Sequence, residues 1–112
     1  TLMNKSELQE HIAYLKKQIE LKNATETLMA DSRFKAVILK GFCEEEMHRN
    51  MGLAVCDKLP VETRELCNNL AKASAVLHNY LNTNIQLGIT AQEDLEQAEE
   101  MLLSVEEDGG EQ

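Results

Sequence analysis

Residues 84–95 read Asn84-Ile85-Gln86-Leu87-Gly88-Ile89-Thr90-Ala91-Gln92-Glu93-Asp94-Leu95, and this stretch decides how many helices the chain makes. Gly88 follows a helical apolar pattern and suits the C′ position, where a left-handed residue closes a helix and a Cβ is penalised. Two residues on, Thr90 and Glu93 have capping-box spacing, in which two side chains satisfy backbone N–H groups left unpaired in the first turn. Glu93 and Asp94 also suit the positive end of the helix dipole. The stretch predicts one helix ending near Leu87 and another starting near residue 91.

Toward the C-terminus, Leu95, Ala98, Leu102 and Val105 line one face of a helix over 91–106, while Glu96, Glu99, Glu100 and Glu107 fall elsewhere around it. Residues 107–112, with Gly109-Gly110, are expected to form a disordered acidic tail. Toward the N-terminus, Leu66, Leu70, Ala73, Leu77 and Tyr80 keep a/d spacing, and Asn84 falls at the next a position, where a polar residue can fix register. Pro60 suits a first helical turn and forces the residue before it out of the α region, so this helix is predicted over 60–87.

Asp31-Ser32 caps a further helix over 32–56. Its apolar residues change sides: Phe34, Ile38 and Phe42 share one face, and Met47, Met51 and Ala54 the other, a pattern that suits a central helix. Gly41 and Gly52 each cost about 1 kcal/mol of helix propensity, which close approach of a neighbouring helix would offset. In the first helix, over 6–29, Ser6 and Gln9 have capping-box spacing, and Leu8, Ile12, Leu15 and Ile19 form a narrow a/d seam. A second stripe, Leu21, Ala24 and Leu28, lies nearly opposite, implying two partners or a break near Asn23. The expectation is an all-α, up-and-down bundle of four helices in a single domain over 1–106. Phe34, Ile38, Phe42, Leu66, Leu70, Leu77, Leu95 and Leu102 are its expected core, and the Leu8, Ile12, Leu15 and Ile19 seam has two readings: residues 1–20 as an oligomerising helix that takes a second copy, or packing within the monomer.

Composition agrees: 112 residues fit one domain, the only proline is Pro60, and there are only four aromatic residues. The longest apolar runs, such as Ala36 to Leu39, fall far short of the roughly 20 residues of a membrane span, and the first 17 residues lack the apolar block of a secretory signal. The chain is therefore read as cytoplasmic, without a membrane partner. Cys43, Cys56 and Cys67 are odd in number and lack C-x-x-C spacing, so they are read as reduced, mostly buried small hydrophobes. The net charge of −9 is strongly localised. Residues 1–89 carry eleven acids and eleven bases, whereas residues 90–112 carry Glu93, Asp94, Glu96, Glu99, Glu100, Glu106, Glu107, Asp108 and Glu111 with no lysine or arginine. Without a basic patch there is no electrostatic case for direct nucleic-acid binding.

Over Ile12 to Glu100 the chain resembles a family of small helical proteins encoded by tailed bacteriophages. The resemblance rests on Leu28-x-x-Asp31-Ser32-x-Phe34-Lys35-x-Val37-Ile38-Leu39-x-Gly41-Phe42, on Glu44-Glu45-Glu46, and on Tyr80-Leu81-x-x-x-Ile85-Gln86-x-Gly88 before an acidic last helix. It departs at Ser32, where proline is expected. It implies a phage origin, and with it the bacterial host's cytoplasm or the virion as location, but no defined activity.

Candidate chemistry is sparse. Glu45-x-x-His48 puts a carboxylate and an imidazole on one helix face, as in di-iron bundles, but His11 and His78 lack a glutamate three residues earlier, so no second copy exists and surface ion pairing is the ordinary reading. Cys43 and His48 lack an orienting third group, and no glycine-rich phosphate loop precedes a helix. No metal, cofactor or catalytic activity is expected. Met47 and Met51 are read as core filling before a docking surface. The leading expectation is a non-enzymatic phage structural or assembly protein, a homo-oligomeric interaction module that engages other proteins through its N-terminal seam and acidic last helix. The alternative is a small phage factor that binds and inhibits a host protein, with nucleic-acid-like charge on that helix.

Overall fold

The computed structural model describes residues 3–107, and every regular element among them is helical. Among the described residues there are three helices, not four. The first, α1, spans Lys5–Ala30 without a break at Asn23. The second, α2, covers residues 32–54 and joins Ser32–Phe34, a π-helical segment Lys35–Glu46 and Met47–Ala54. The third, α3, runs Val61–Glu107, 47 residues through the stretch expected to separate two helices. By contact density the chain forms two compact units, one holding the described residues up to Thr25 and from Asn84 onward, the other Glu26–Thr83.

In the first unit, the N-terminal part of α1 and the C-terminal part of α3 are antiparallel: Lys5 Nζ lies 3.5 Å from Glu106 Oε2, and Asn84 Nδ2 donates to Thr25 Oγ1 at 3.2 Å. Leu8, Ile12 and Leu15 are buried with Ala91 and Ala98, and Ile19, Leu95 and Leu102 pack against them. Each fully buried leucine or isoleucine contributes about 1.5–3 kcal/mol. Leu95 and Leu102, expected in the core, are half-buried at its edge. Buried Asn84 and Thr25 satisfy each other, and Thr25 Oγ1 also donates to the Leu21 carbonyl at 2.7 Å; apolar residues would tolerate a register slip that this pair opposes. The helix start differs from expectation. Asn4 and Glu7 form the reciprocal box, with Asn4 N–H donating to Glu7 Oε1 at 3.0 Å and Glu7 N–H to Asn4 Oδ1 at 2.8 Å, so Ser6 and Gln9 lie inside the helix.

Gly88 explains why α3 does not stop. A Cβ built there would lie 2.2 Å from Cβ of Lys22 on α1, so glycine permits close helix approach and ends nothing. Thr90, read as a cap, sits mid-helix. Buried positions along α3 recur at seven-residue steps. The frame turned inward on α3 is Cys67, Ser74, Leu81, Gly88, Leu95 and Leu102, seven apart and all buried or half-buried. Leu66 and Leu70, expected in the core, belong to the neighbouring frame and are 58% and 43% exposed; Leu77, on the border, is half-buried.

In the second unit, α2 starts where the sequence places it. Asp31 Oδ1 accepts from the N–H groups of Arg33 (2.8 Å) and Phe34 (3.2 Å). The Arg33 guanidinium, 3.0 Å away, followed by those two N–H bonds, holds the Asp31 carboxyl below its ordinary 3.8. The α2 helix then departs from 3.6-residue periodicity. Residues turned inward recur as Phe34, Ile38, Cys43, Met47 and Asn50, and a step of five falls in the π segment, whose i→i+5 bonding makes a wider turn. The apparent change of sides along α2 follows from reading a π-helix at α-helical period. Phe34, Ile38 and Phe42 are half-buried instead of central. Gly41 and Gly52 open no approach to another helix: a Cβ at Gly41 meets the carbonyl of Ala36, five residues back, at 3.1 Å, and one at Gly52 meets nothing within 4 Å.

The two glycines therefore have opposite expected effects. Gly88→Ala should lower the unfolding free energy in urea by about 1–2 kcal/mol, overpacking outweighing the gain in helix propensity. Gly52→Ala should raise it by about 0.5–1 kcal/mol. A stabilising Gly88→Ala would contradict the close approach.

Candidate functional site

The acidic end of α3 is an amphipathic helix whose two faces are now assigned. Its inner face, Ala91, Leu95, Ala98 and Leu102, packs on Leu8, Ile12, Leu15 and Ile19 of α1. The stripe expected to take a second copy is therefore covered by α3 of the same chain, and no seam is left open there. Its outer surface carries Glu93, Asp94, Glu96, Glu99, Glu100, Glu106 and Glu107, all exposed. Asp108 and the tail to Gln112 lie outside the described residues.

Only one ion pair among those described touches this surface, Lys5 with Glu106, and a half-exposed pair of this kind contributes about 0–1 kcal/mol. In sequence, the unit that contains α3's acidic end holds twelve acids against four lysines, a net of −8, whereas Glu26–Thr83 holds eight acids against seven bases, a net of −1. Clustered charge of one sign sets up a potential that reaches beyond individual contacts and steers oppositely charged partners.

The remaining candidates resolve differently. Glu45 and His48 are both exposed, and it is Glu46 that pairs, accepting from Arg49 Nε at 3.1 Å and Arg49 Nη2 at 2.6 Å. This Arg49 contact, ahead of the opposing effect of desolvation, leaves the Glu46 carboxyl below its ordinary value. Among the described residues no group of three or more His, Cys, Asp or Glu side chains is placed to hold a metal ion. Cys43 is buried, whereas His48 is exposed. It lines an open groove of about 450 Å³ with Met47 of α2 and Ala75 and His78 of α3. Burial, with Glu44 adding to it, pushes the Cys43 thiol above 9.0, the reverse of what an activated nucleophile needs.

Three features were not anticipated. The Asn4–Glu7 box has the same spacing as Ser6–Gln9, two residues earlier. The Lys22–Gly88 contact leaves no local signal beyond a glycine at a heptad position. The exposed Leu66–Tyr80 stripe was legible as a stripe but assigned to the core.

No family model, no curated protein and no solved structure matches this chain. No helix among the described residues is long and apolar enough to cross a membrane.

Burial orders the three thiols: Cys43 and Cys67 are buried and Cys56, in the turn before Pro60, is partly exposed. Iodoacetamide on the folded protein at pH 8, read by mass spectrometry, should therefore modify Cys56 first. Cys43 should stay slow as pH is raised to 9, where an ordinary thiol is about half ionised. Preferential modification of Cys43 at pH 7 would contradict its buried, neutral state.

Proposed function

We propose that this chain is a non-enzymatic interaction module that docks on a basic protein surface through the acidic end of α3. The observation that carries this reading is the row of seven exposed carboxylates from Glu93 to Glu107, held on a helix whose other face is anchored in a core. Anchoring matters because a rigid charged surface has little entropy left to lose on binding. The resemblance seen in the sequence adds a setting, in which the partner is a component of a phage particle or of its assembly, in the bacterial cytoplasm or the virion.

A second reading has its own observation. From residue 93 to residue 107 the helix rises about 21 Å at about 1.5 Å per residue. That is one carboxylate per ~3 Å, close to the ~3.4 Å between phosphates along one DNA strand. In this reading the partner is a host nucleic-acid-binding protein whose groove the acidic helix occupies.

Capture experiments with wild type and a variant carrying Glu93→Gln, Glu96→Gln, Glu99→Gln and Glu100→Gln test both readings. Basic proteins should be retained by wild type at low salt, released as salt rises, and lost by the variant. Equal capture by both chains would reject the acidic surface as the docking site. Virion components among the retained proteins favour assembly; a protein displaced from DNA in competition favours inhibition.

A further inference from the structure

The outer surface at the acidic end of α3 has a register of its own. Ile89, Glu93, Glu96, Glu100, Leu103 and Glu107 follow one another at steps of four, three, four, three and four, and all six are exposed. At about 100° per residue they fall within about 80° of arc, a straight seam along the helix. The core of this unit uses a different set, Ala91, Leu95, Ala98 and Leu102, so α1 does not occupy the seam. Ile89 and Leu103 are 39% and 59% exposed, large apolar side chains left uncovered among carboxylates. The ion pair described at this end, Lys5 with Glu106, lies off the seam, and among the described residues no seam carboxylate has a basic partner.

We propose that this seam takes a basic amphipathic helix of another protein, with lysine or arginine set against the seam carboxylates and two apolar residues set against Ile89 and Leu103. It rests on docking through the acidic end of α3 and adds the form of the partner.

Spacing, charge and the two apolar residues each select this partner. Alternating steps of three and four are what a second helix follows at a shallow crossing angle, because its own side chains recur at the same steps. Ile89 and Leu103 lie two heptads apart, about 21 Å at about 1.5 Å per residue, so the partner presents apolar residues at that separation with basic ones between. Lysine and arginine suit the positions between, since their methylene stems cover apolar surface while the charged head reaches a carboxylate. A second copy of this chain offering the same face would set carboxylate against carboxylate, which excludes self-pairing here. A basic surface without helical register would pair with carboxylates around the helix and gain nothing from Ile89 and Leu103.

Two synthetic peptides of about 20 residues, long enough to span the seam as helices, separate these cases. One carries leucines two heptads apart with lysines between them at three–four spacing; the other has the same residues scrambled. Titrated into the full chain at low salt and read by fluorescence anisotropy, the patterned peptide should bind about tenfold tighter than the scrambled one and gain helicity by circular dichroism. Ile89→Ser with Leu103→Ser should remove that advantage and leave the scrambled peptide's affinity unchanged. Glu96→Gln with Glu100→Gln should weaken the patterned peptide more than Asp94→Asn with Glu99→Gln, which removes the same charge off the seam. Equal affinity for the two peptides overturns the helical partner while acidic docking stands, as does an advantage that survives the serine substitutions or an equal loss from the two charge pairs. Binding of neither peptide at low salt rejects acidic docking itself, and this proposal with it.

Discussion

The approach of α1 to α3 at Gly88 is the constraint on which the rest of the molecule depends. Lys22 occupies the space where a Cβ at residue 88 would lie, so α3 can pass α1 closely only because that residue is glycine. Close passage lets α3 run on as one helix to Glu107. Leu95, Ala98 and Leu102 are there set against the Leu8–Ile19 stripe. Asn84 and Thr25 hold the register, since a slip in either direction would strand the buried Asn84 amide, whose partner is Thr25 across the helix pair.

What could be read from the sequence was largely what short-range chemistry decides. The Asp31 cap, the start of α2 at Ser32, the turn at Pro60 and the buried face of α1 were all legible, because a cap or a narrow apolar stripe works within one helix. Gly88 was not. A glycine that ends a helix and a glycine that lets another helix pass look the same in one dimension, and only Lys22 across the gap distinguishes them. In the first half of α3 the sequence favours the more hydrophobic frame through Leu66 and Leu70, whereas the residues buried there are Cys67, Ala71 and Ser74.

The α2 helix shows a different limit. Its apolar residues are regular, but at the wider turn of a π-helix, and an α-helical period puts Met47 on the face opposite Phe34 and Ile38. Nothing in the residue types around Gly41 announces the change. The acidic end of α3 is the opposite case: Glu93, Asp94, Glu96, Glu99, Glu100, Glu106 and Glu107 are exposed, and charge segregation survives any small error in register.

The account rests on α3 remaining helical across Gly88. Amide hydrogen exchange followed by nuclear magnetic resonance tests this directly, residue by residue, from Ile85 to Glu93. Continuity is expected to give slow exchange at Gly88, Ile89, Thr90 and Ala91, comparable to Ala98, with helical chemical shifts throughout. Fast exchange at Ile89 and Thr90, with a left-handed Gly88 and a fresh cap at Thr90, would restore four helices and contradict the single frame.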